Sequence, residues 1–184
     1  MKELYRTKRL TLKILDHNSS GLVLDFYSRN KAFLRPWEPL KSPYFYTASY
    51  HKKILSFEYR EILAHKCLRL WLFKDIDFTK TIGTISFNNI IRGSFQSCVL
   101  GYKLDSKEIK KGYMSEAIKE GINIMFNNYK LHRIEANIMP TNKASLNLVE
   151  KLGFINEGLS KKYIKINGKW EDHIRMALIN ETTG

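Results

Sequence analysis

The sequence predicts one mixed α/β domain spanning residues 1–184, with a central mixed sheet and helices on both faces. Three observations lead there. Strand-like segments follow one another between Cys67 and Leu104, separated only by short turns. Beyond them, helical and strand patterns alternate, so early hairpins give way to a βαβ unit. The 184 residues are 43% hydrophobic and 12% aromatic, enough to bury one core and too apolar for disorder.

The elements are read in chain order. Leu10, Leu12 and Ile14 alternate with polar residues, which predicts a half-buried strand. Asp16 to Arg29 reads as a helix with Leu22 and Phe26 on one face. Pro36 and Pro39 prevent any helix from running through Arg35-Pro36-Trp37-Glu38-Pro39. A second helix is expected from Ala48 to Lys66, with Leu55, Tyr59, Ile62 and Leu63 as its stripe. Strands are expected over Cys67–Lys74, over Thr81–Ile90, and from Arg92-Gly93 to Leu104, with a turn at Asp75–Lys80. Gly112–Asn128 is helical, with Ile118, Ile122, Met125 and Tyr129 on one face. Arg133–Met139 is a strand ended by Pro140, and Asn142–Lys151 is a helix closed by Gly153 as a left-handed cap. A strand starts at Phe154, and Asn167-Gly168 marks a type I′ hairpin.

Two cysteines, Cys67 and Cys98, lie in apolar stretches and read as buried free thiols, which suits a reducing, cytoplasmic setting. The N-terminal residues carry no signal-peptide pattern, and no run approaches the roughly 20 apolar residues of a membrane span. The formal charge of +13 favours acidic partners such as nucleic acid, ribosomes or a polyphosphate cofactor. Its even scatter along the chain equally suits solubility.

Lys110-Lys111-Gly112-Tyr113-Met114-Ser115 joins a strand to a helix. A helix opening there presents unpaired N–H groups and a positive dipole end, an anion site suited to a pyrophosphate. Gly112 lets the backbone come close, and the lysines add charge. The segment matches neither the P-loop nor the dinucleotide-binding glycine pattern. A single glycine before a helix is also an ordinary turn.

Around this segment stand Leu100-Gly101-Tyr102-Lys103-Leu104-Asp105, then Lys111-Gly112-Tyr113-Met114-Ser115-Glu116-Ala117. His132-Arg133-Ile134-Glu135-Ala136-Asn137, Pro140-Thr141-Asn142-Lys143-Ala144-Ser145 and Glu150-Lys151-Leu152-Gly153-Phe154 follow. In these segments the chain resembles the GNAT superfamily of N-acetyltransferases. With Asn30–Pro39 and Asn88–Ser97, the order is similar to the branch that acetylates ribosomal-protein N-termini. Two positions depart from the pattern: Ile109 stands where the family has Gln or Arg, and Lys110 where it has Gly. Lys110 is strained if its site requires positive φ.

The resemblance implies the GNAT fold, with a splayed sheet, and acetyl-CoA as acyl donor without a metal. Tyr102 and Leu104 would pair their backbone with the pantetheine arm, and N–H groups near Leu104 would polarise the thioester carbonyl. Lys110, Lys111, Gly112, Tyr113, Met114 and Ser115 would hold the pyrophosphate, with Tyr113 packing rather than reacting. Ser145, one turn into a helix capped by Asn142, would protonate the departing thiolate; it also fits an ordinary first-turn serine. Asn142 fits a cap, a pantetheine contact, or both. Trp37 and Glu38 would form the acceptor-side loop, Glu38 orienting the amine and taking its proton; a lid aromatic and a solvated acid are the plainer readings.

Glu135 and Asp172 are further carboxylates that strand alternation could turn away from the cleft. His17, His51 and His65 are expected on exposed helix faces, His132 at a strand start, and His173 near Asp172 on the last hairpin. None has metal-ligand spacing. Neither cysteine sits in a nucleophile motif, so transfer is expected to be direct, within a ternary complex. The acceptor is expected to be a protein N-terminus, with a small amine (polyamine, aminoglycoside or amino acid) as the alternative. A non-catalytic acetyl-CoA sensor or nucleic-acid-associated module is the third reading. Ribosome association is compatible with the charge, membrane association is not expected, and a monomer or homodimer would serve.

Overall fold

The structure is a computed structural model and describes residues 2–74 and 78–182. The expected turn at Asp75–Lys80 therefore lies partly outside the described residues. Eight strands form one sheet: β1 (Leu4–Arg6), β2 (Leu10–Lys13), β3 (Leu68–Lys74), β4 (Gly83–Ile91), β5 (Ser97–Leu104), β6 (Arg133–Ile138), β7 (Ile155–Ile166) and β8 (Lys169–Ile179). Their order is β1-β2-β3-β4-β5-β6-β8-β7. Neighbours are antiparallel except β5 and β6, which are parallel. The helices are α1 (Ser20–Arg29), α2 (Lys31–Leu34), α3 (Ala48–Leu63), α4 (Tyr113–Asn123) and α5 (Lys143–Lys151). The mixed sheet with helices on both faces is as expected.

Strand β3 shows why both faces are covered. Its apolar run buries Leu68, Leu70 and Leu72 in the cluster that includes Met114, Ala117 and Ile118 of α4 and Leu146 and Val149 of α5. Trp71 and Phe73 point to the opposite face, against Val23, Phe26, Leu34 and Leu55 of the α1–α3 layer. Helix α4 lies close to the sheet because Gly121 has no side chain. A Cβ there would sit 2.6 Å from the Phe87 ring and 2.9 Å from Ile85.

Local signals place most boundaries. Thr47 caps α3 by accepting the Tyr50 N–H, and Asn142 caps α5 by accepting the Ser145 N–H at 3.2 Å. Gly153 has φ +91°, and Asn167 and Gly168 have φ +47° and +84°, as a left-handed cap and a type I′ turn require.

Several expectations need correction. A short strand precedes the first predicted one, and β2 is covered on both faces, since Thr11 is buried beside Leu10 and Leu12. The Asp16–Arg29 helix begins with a 3₁₀ turn, His17–Ser19, capped by Asp16, before α1. Helix α3 ends at Leu63 rather than Lys66, where Ala64 and His65 (φ +55°) turn the chain into β3. Leu63 is exposed, so the buried stripe is Leu55 and Ile62, with Tyr59 half-buried. The segment after α4 widens into a π turn, Ile124–Asn128, which keeps Met125 and Tyr129 buried. His51 is not exposed but 2% accessible, stacked on Tyr27 at 5.4 Å.

Candidate active site

The site begins where two parallel strands part. β5 and β6 pair only at Ser97–Arg133, Cys98–Ile134 and Val99–Glu135. Beyond them, Ala136, Asn137 and Ile138 continue to pair with β8, and Leu100 to Leu104 with β4, leaving an opening between. The Asp105 N–H bonds the Ile82 carbonyl at 2.8 Å, which sets the phase of the antiparallel ladder. Gly101 and Lys103 therefore turn their peptide groups toward β4. Tyr102 and Leu104 turn theirs toward the opening, beyond the last β5–β6 pair at Val99–Glu135. Extended backbone with unpaired donors and acceptors at a strand edge is what an amide-bearing arm such as pantetheine can pair with. Tyr102 and Leu104 carry such groups.

Below the opening, residues 105–112 form a turn that leads into α4. Lys110 adopts φ +61°, so this position does impose the left-handed conformation that makes a lysine strained. Gly112 (φ +81°) caps α4, and the first bond closing the helix runs from the Glu116 N–H to the Gly112 carbonyl. The amides of Tyr113, Met114 and Ser115 precede that bond and have no intrahelical acceptor. Met114 buries its side chain, so its contribution to an anion is the backbone N–H. Tyr113 packs beneath the Arg9 guanidinium, 4.7 Å from the ring centroid. Lys111 folds back: its ammonium donates to the Lys107 carbonyl (2.7 Å) and pairs with Glu108 (2.9 Å).

Distant residues hold this turn in shape. Arg9 Nη1 donates to the Lys111 carbonyl at 2.9 Å, and its Nε pairs with Glu116 at 2.7 Å. Burial would raise the Glu116 carboxyl, yet the Thr7 hydroxyl and Arg9 hold it below its ordinary range. Asn30, buried in the loop after α1, accepts the Ser106 N–H at 3.0 Å, and Arg29 pairs with Asp105 at 2.7 Å. Thr7, Arg9 and Arg29 lie outside the sequence motif that carries the turn.

Two sets of side chains flank the opening, on opposite faces of β5. On the α5 face, the Tyr102 hydroxyl donates to the Ser145 carbonyl at 3.3 Å. Burial pushes the Tyr102 phenol up to about 12 against the lowering effect of a hydrogen bond with the Ser145 side chain, so it remains a neutral donor. Ser145 is half-buried on the first turn of α5. On the α3 face, Glu38 is 9% exposed and pairs with the Lys103 ammonium at 3.0 Å. Ser145 and Glu38 are thus not in contact: a strand separates them, with the opening between.

Trp37 ends the 3₁₀ turn Arg35–Trp37 with its ring 37% exposed, on the lip rather than over the core. Asn167, at the tip of the β7–β8 hairpin, ties this lip down by donating to the Arg35 carbonyl at 2.8 Å.

Sequence reasoning missed Lys103, Arg9 and one more polar group. Asn137 lies on β6 past the last pair with β5, on the Lys103 face, and its Oδ1 is buried without a hydrogen-bond partner. An orphaned acceptor there suits a ligand N–H. Glu135 and Asp172 are otherwise engaged, with Arg133 (2.7 Å) and the Lys162 N–H (2.8 Å). His17, His65 and His132 are exposed, whereas His173 is buried with Nδ1 3.1 Å from the Glu171 carbonyl. Cys98 is buried, Cys67 half-buried, and both are free; burial raises their thiols to about 12 and about 11, which argues against a thiolate nucleophile. Among the described residues no cluster of acids, histidines or cysteines could hold a metal, and no helix is long and apolar enough to cross a membrane.

Comparison with known proteins agrees with this geometry. Residues 9–155 match the model of the acetyltransferase (GNAT) domain. The chain is 36% identical to the [ribosomal protein uS5]-alanine N-acetyltransferase of Escherichia coli, over 94% of this chain and 88% of that one. A crystal structure of ribosomal-protein-S5-alanine acetyltransferase from Vibrio fischeri superposes with a TM-score of 0.93 at 33% identity, covering all of both chains. Mycobacterium smegmatis RimJ in complex with CoA-disulfide superposes with a TM-score of 0.87 at 25% identity, covering 94% of this chain and 83% of that one.

Proposed function

The chain belongs to the GNAT acetyltransferase family, and from that premise we propose that it moves the acetyl group of acetyl-CoA onto the N-terminal α-amine of a ribosomal protein. The observation that carries this reading is the opening between β5 and β6. Free peptide groups of Tyr102 and Leu104 line it, Ser145 stands on one side, and Glu38 with Asn137 stands on the other.

The residues present fit the donor. The unpaired edge of β5 takes the amides of the pantetheine arm, and the turn at Lys110–Ser115 with the α4 N-terminus takes the pyrophosphate. Acetyl-CoA supplies an activated thioester. The Leu104 N–H is placed to donate to a carbonyl oxygen at the opening, where a fixed donor favours developing negative charge. Ser145, near the positive end of α5, donates a hydrogen bond or relays a proton to a leaving sulfur. Asn137 Oδ1 accepts from the entering amine and orients it. Glu38, held by Lys103, receives the amine's proton directly or through water. With both thiols raised by burial and so kept protonated, transfer is direct within a ternary complex.

The acceptor assignment rests on the similarity to alanine N-acetyltransferases that extends over nearly the whole chain. The charge of +13 would assist approach to ribosomal RNA phosphates, and a cytoplasmic location would bring donor and acceptor together. The test is release of free CoA thiol with peptides bearing N-terminal Ala, Ser or Met, with polyamines and with aminoglycosides. Turnover of peptides alone supports the proposal. Turnover of a small amine alone refutes the acceptor.

A further inference from the structure

Beside Glu38, on the acceptor side of the opening, lies a recess of about 150 Å³ whose wall includes Lys31, Arg35, Lys41 and Asn167. Its charge is one-sided. Glu38 is the recess's one carboxylate, and it is already neutralised from behind by Lys103 at 3.0 Å. Three cationic side chains therefore face the space against a single carboxylate that is already shared with Lys103. Lys31 and Lys41 are held in place over aromatic rings, 4.4 Å from the Tyr46 centroid and 4.6 Å from that of Phe45. Lys41 is half-buried. Burial lowers its ammonium below the usual lysine range; Glu38 opposes this, while Lys103 and Arg69 add to it. Such a group gains from an incoming anion. An ordinary cationic acceptor tail would meet repulsion at the same place.

Resting on the N-terminal acceptor reading, we infer that this recess is a specificity subsite for an acidic side chain in the first few residues behind the acetylated N-terminus. The amine enters toward Glu38 and Asn137. The carboxylate that follows it in the peptide pairs with Lys41 and, at the rim, with Lys31 and Arg35. The same field discourages acceptors with a second cationic group, which explains in local terms how the enzyme would turn away a polyamine.

The experiment compares three peptides identical except behind the N-terminal alanine, where they carry Glu-Glu, Gln-Gln or Lys-Lys. The full-length protein is assayed as CoA thiol release at low salt. The Glu-Glu peptide is expected to exceed Gln-Gln in kcat/KM by about tenfold, with Lys-Lys lowest, and the spread is expected to shrink as salt rises. In Lys31→Glu and Arg35→Glu, both at exposed side chains, the Glu-Glu to Gln-Gln ratio is expected to collapse toward one. Equal turnover of all three peptides would overturn the subsite and leave the acceptor class standing. A preference that survives both charge reversals would overturn these residues as its source. If every peptide is idle while a small amine is acetylated, the acceptor reading itself fails and the subsite falls with it.

Discussion

Replacing Gly112 by valine tests the anion-binding turn most directly. Gly112 sits at φ +81° before the first free amides of α4, and a Cβ there would lie 3.2 Å from Arg9 Nη2. An L residue in the left-handed region costs about 1–2 kcal/mol, and β-branching makes it worse. Arg9 must also move, which weakens its bond to the Lys111 carbonyl, 2.9 Å in the native turn. The variant should therefore spend most of its time with the turn rearranged. If the competent conformation falls to about one part in ten, the apparent dissociation constant rises about tenfold, or about 1.4 kcal/mol. Calorimetric titration with acetyl-CoA reads this directly. Gly93→Ala is the control: Gly93 also has positive φ (+68°), with nothing within 4 Å of an added Cβ, and it lies on the β4–β5 turn away from the site. That variant should lose stability without losing affinity. An unchanged dissociation constant in Gly112→Val would remove the turn from cofactor binding.

Two further outcomes are expected. Ser145→Ala should lower kcat by about a hundredfold or more, the scale of general acid catalysis, while the acetyl-CoA dissociation constant stays within about twofold; undiminished turnover would exclude Ser145 from the mechanism. His51 should make the fold acid-sensitive: burial lowers its pKa from 6.5 to about 4, outweighing the raising effect of its bond to the Phe45 backbone. Its Nε2 is buried without a partner. A depressed histidine pKa means that the folded state binds fewer protons than the unfolded chain. Stability is therefore full above pH 6.5 and falls as pH drops toward 4, by about 3 kcal/mol. Urea unfolding midpoints across that range should flatten in His51→Phe, and an identical acid loss in the variant would place the sensitivity elsewhere.

The amino-acid sequence by itself determined what depends on near neighbours. The Asn142 cap, the left-handed Gly153 and the Asn167-Gly168 turn are local steric and hydrogen-bonding choices, and all three stand where the residues demand them. The order of motifs from Leu100 to Phe154 likewise announced the acetyltransferase family, and the strain at Lys110 followed from that resemblance, which has glycine at the position. Helix ends were less legible, because α3 stops where the chain must turn into β3 and α4 widens to keep Tyr129 inside. Only the tertiary structure decided which distant groups meet. Arg9 reaches Glu116 across 107 residues, and the side chain of Glu38, which alone reads as a solvated acid, is buried against Lys103 of β5. His51 looks exposed on a helical wheel, yet the packing of α1 and the Phe45 turn encloses it. The opening between β5 and β6 has no local signature either. It arises because β6 follows β8 while β5 follows β4, and such a divergence is set by packing across the whole sheet rather than by any residue at its edge.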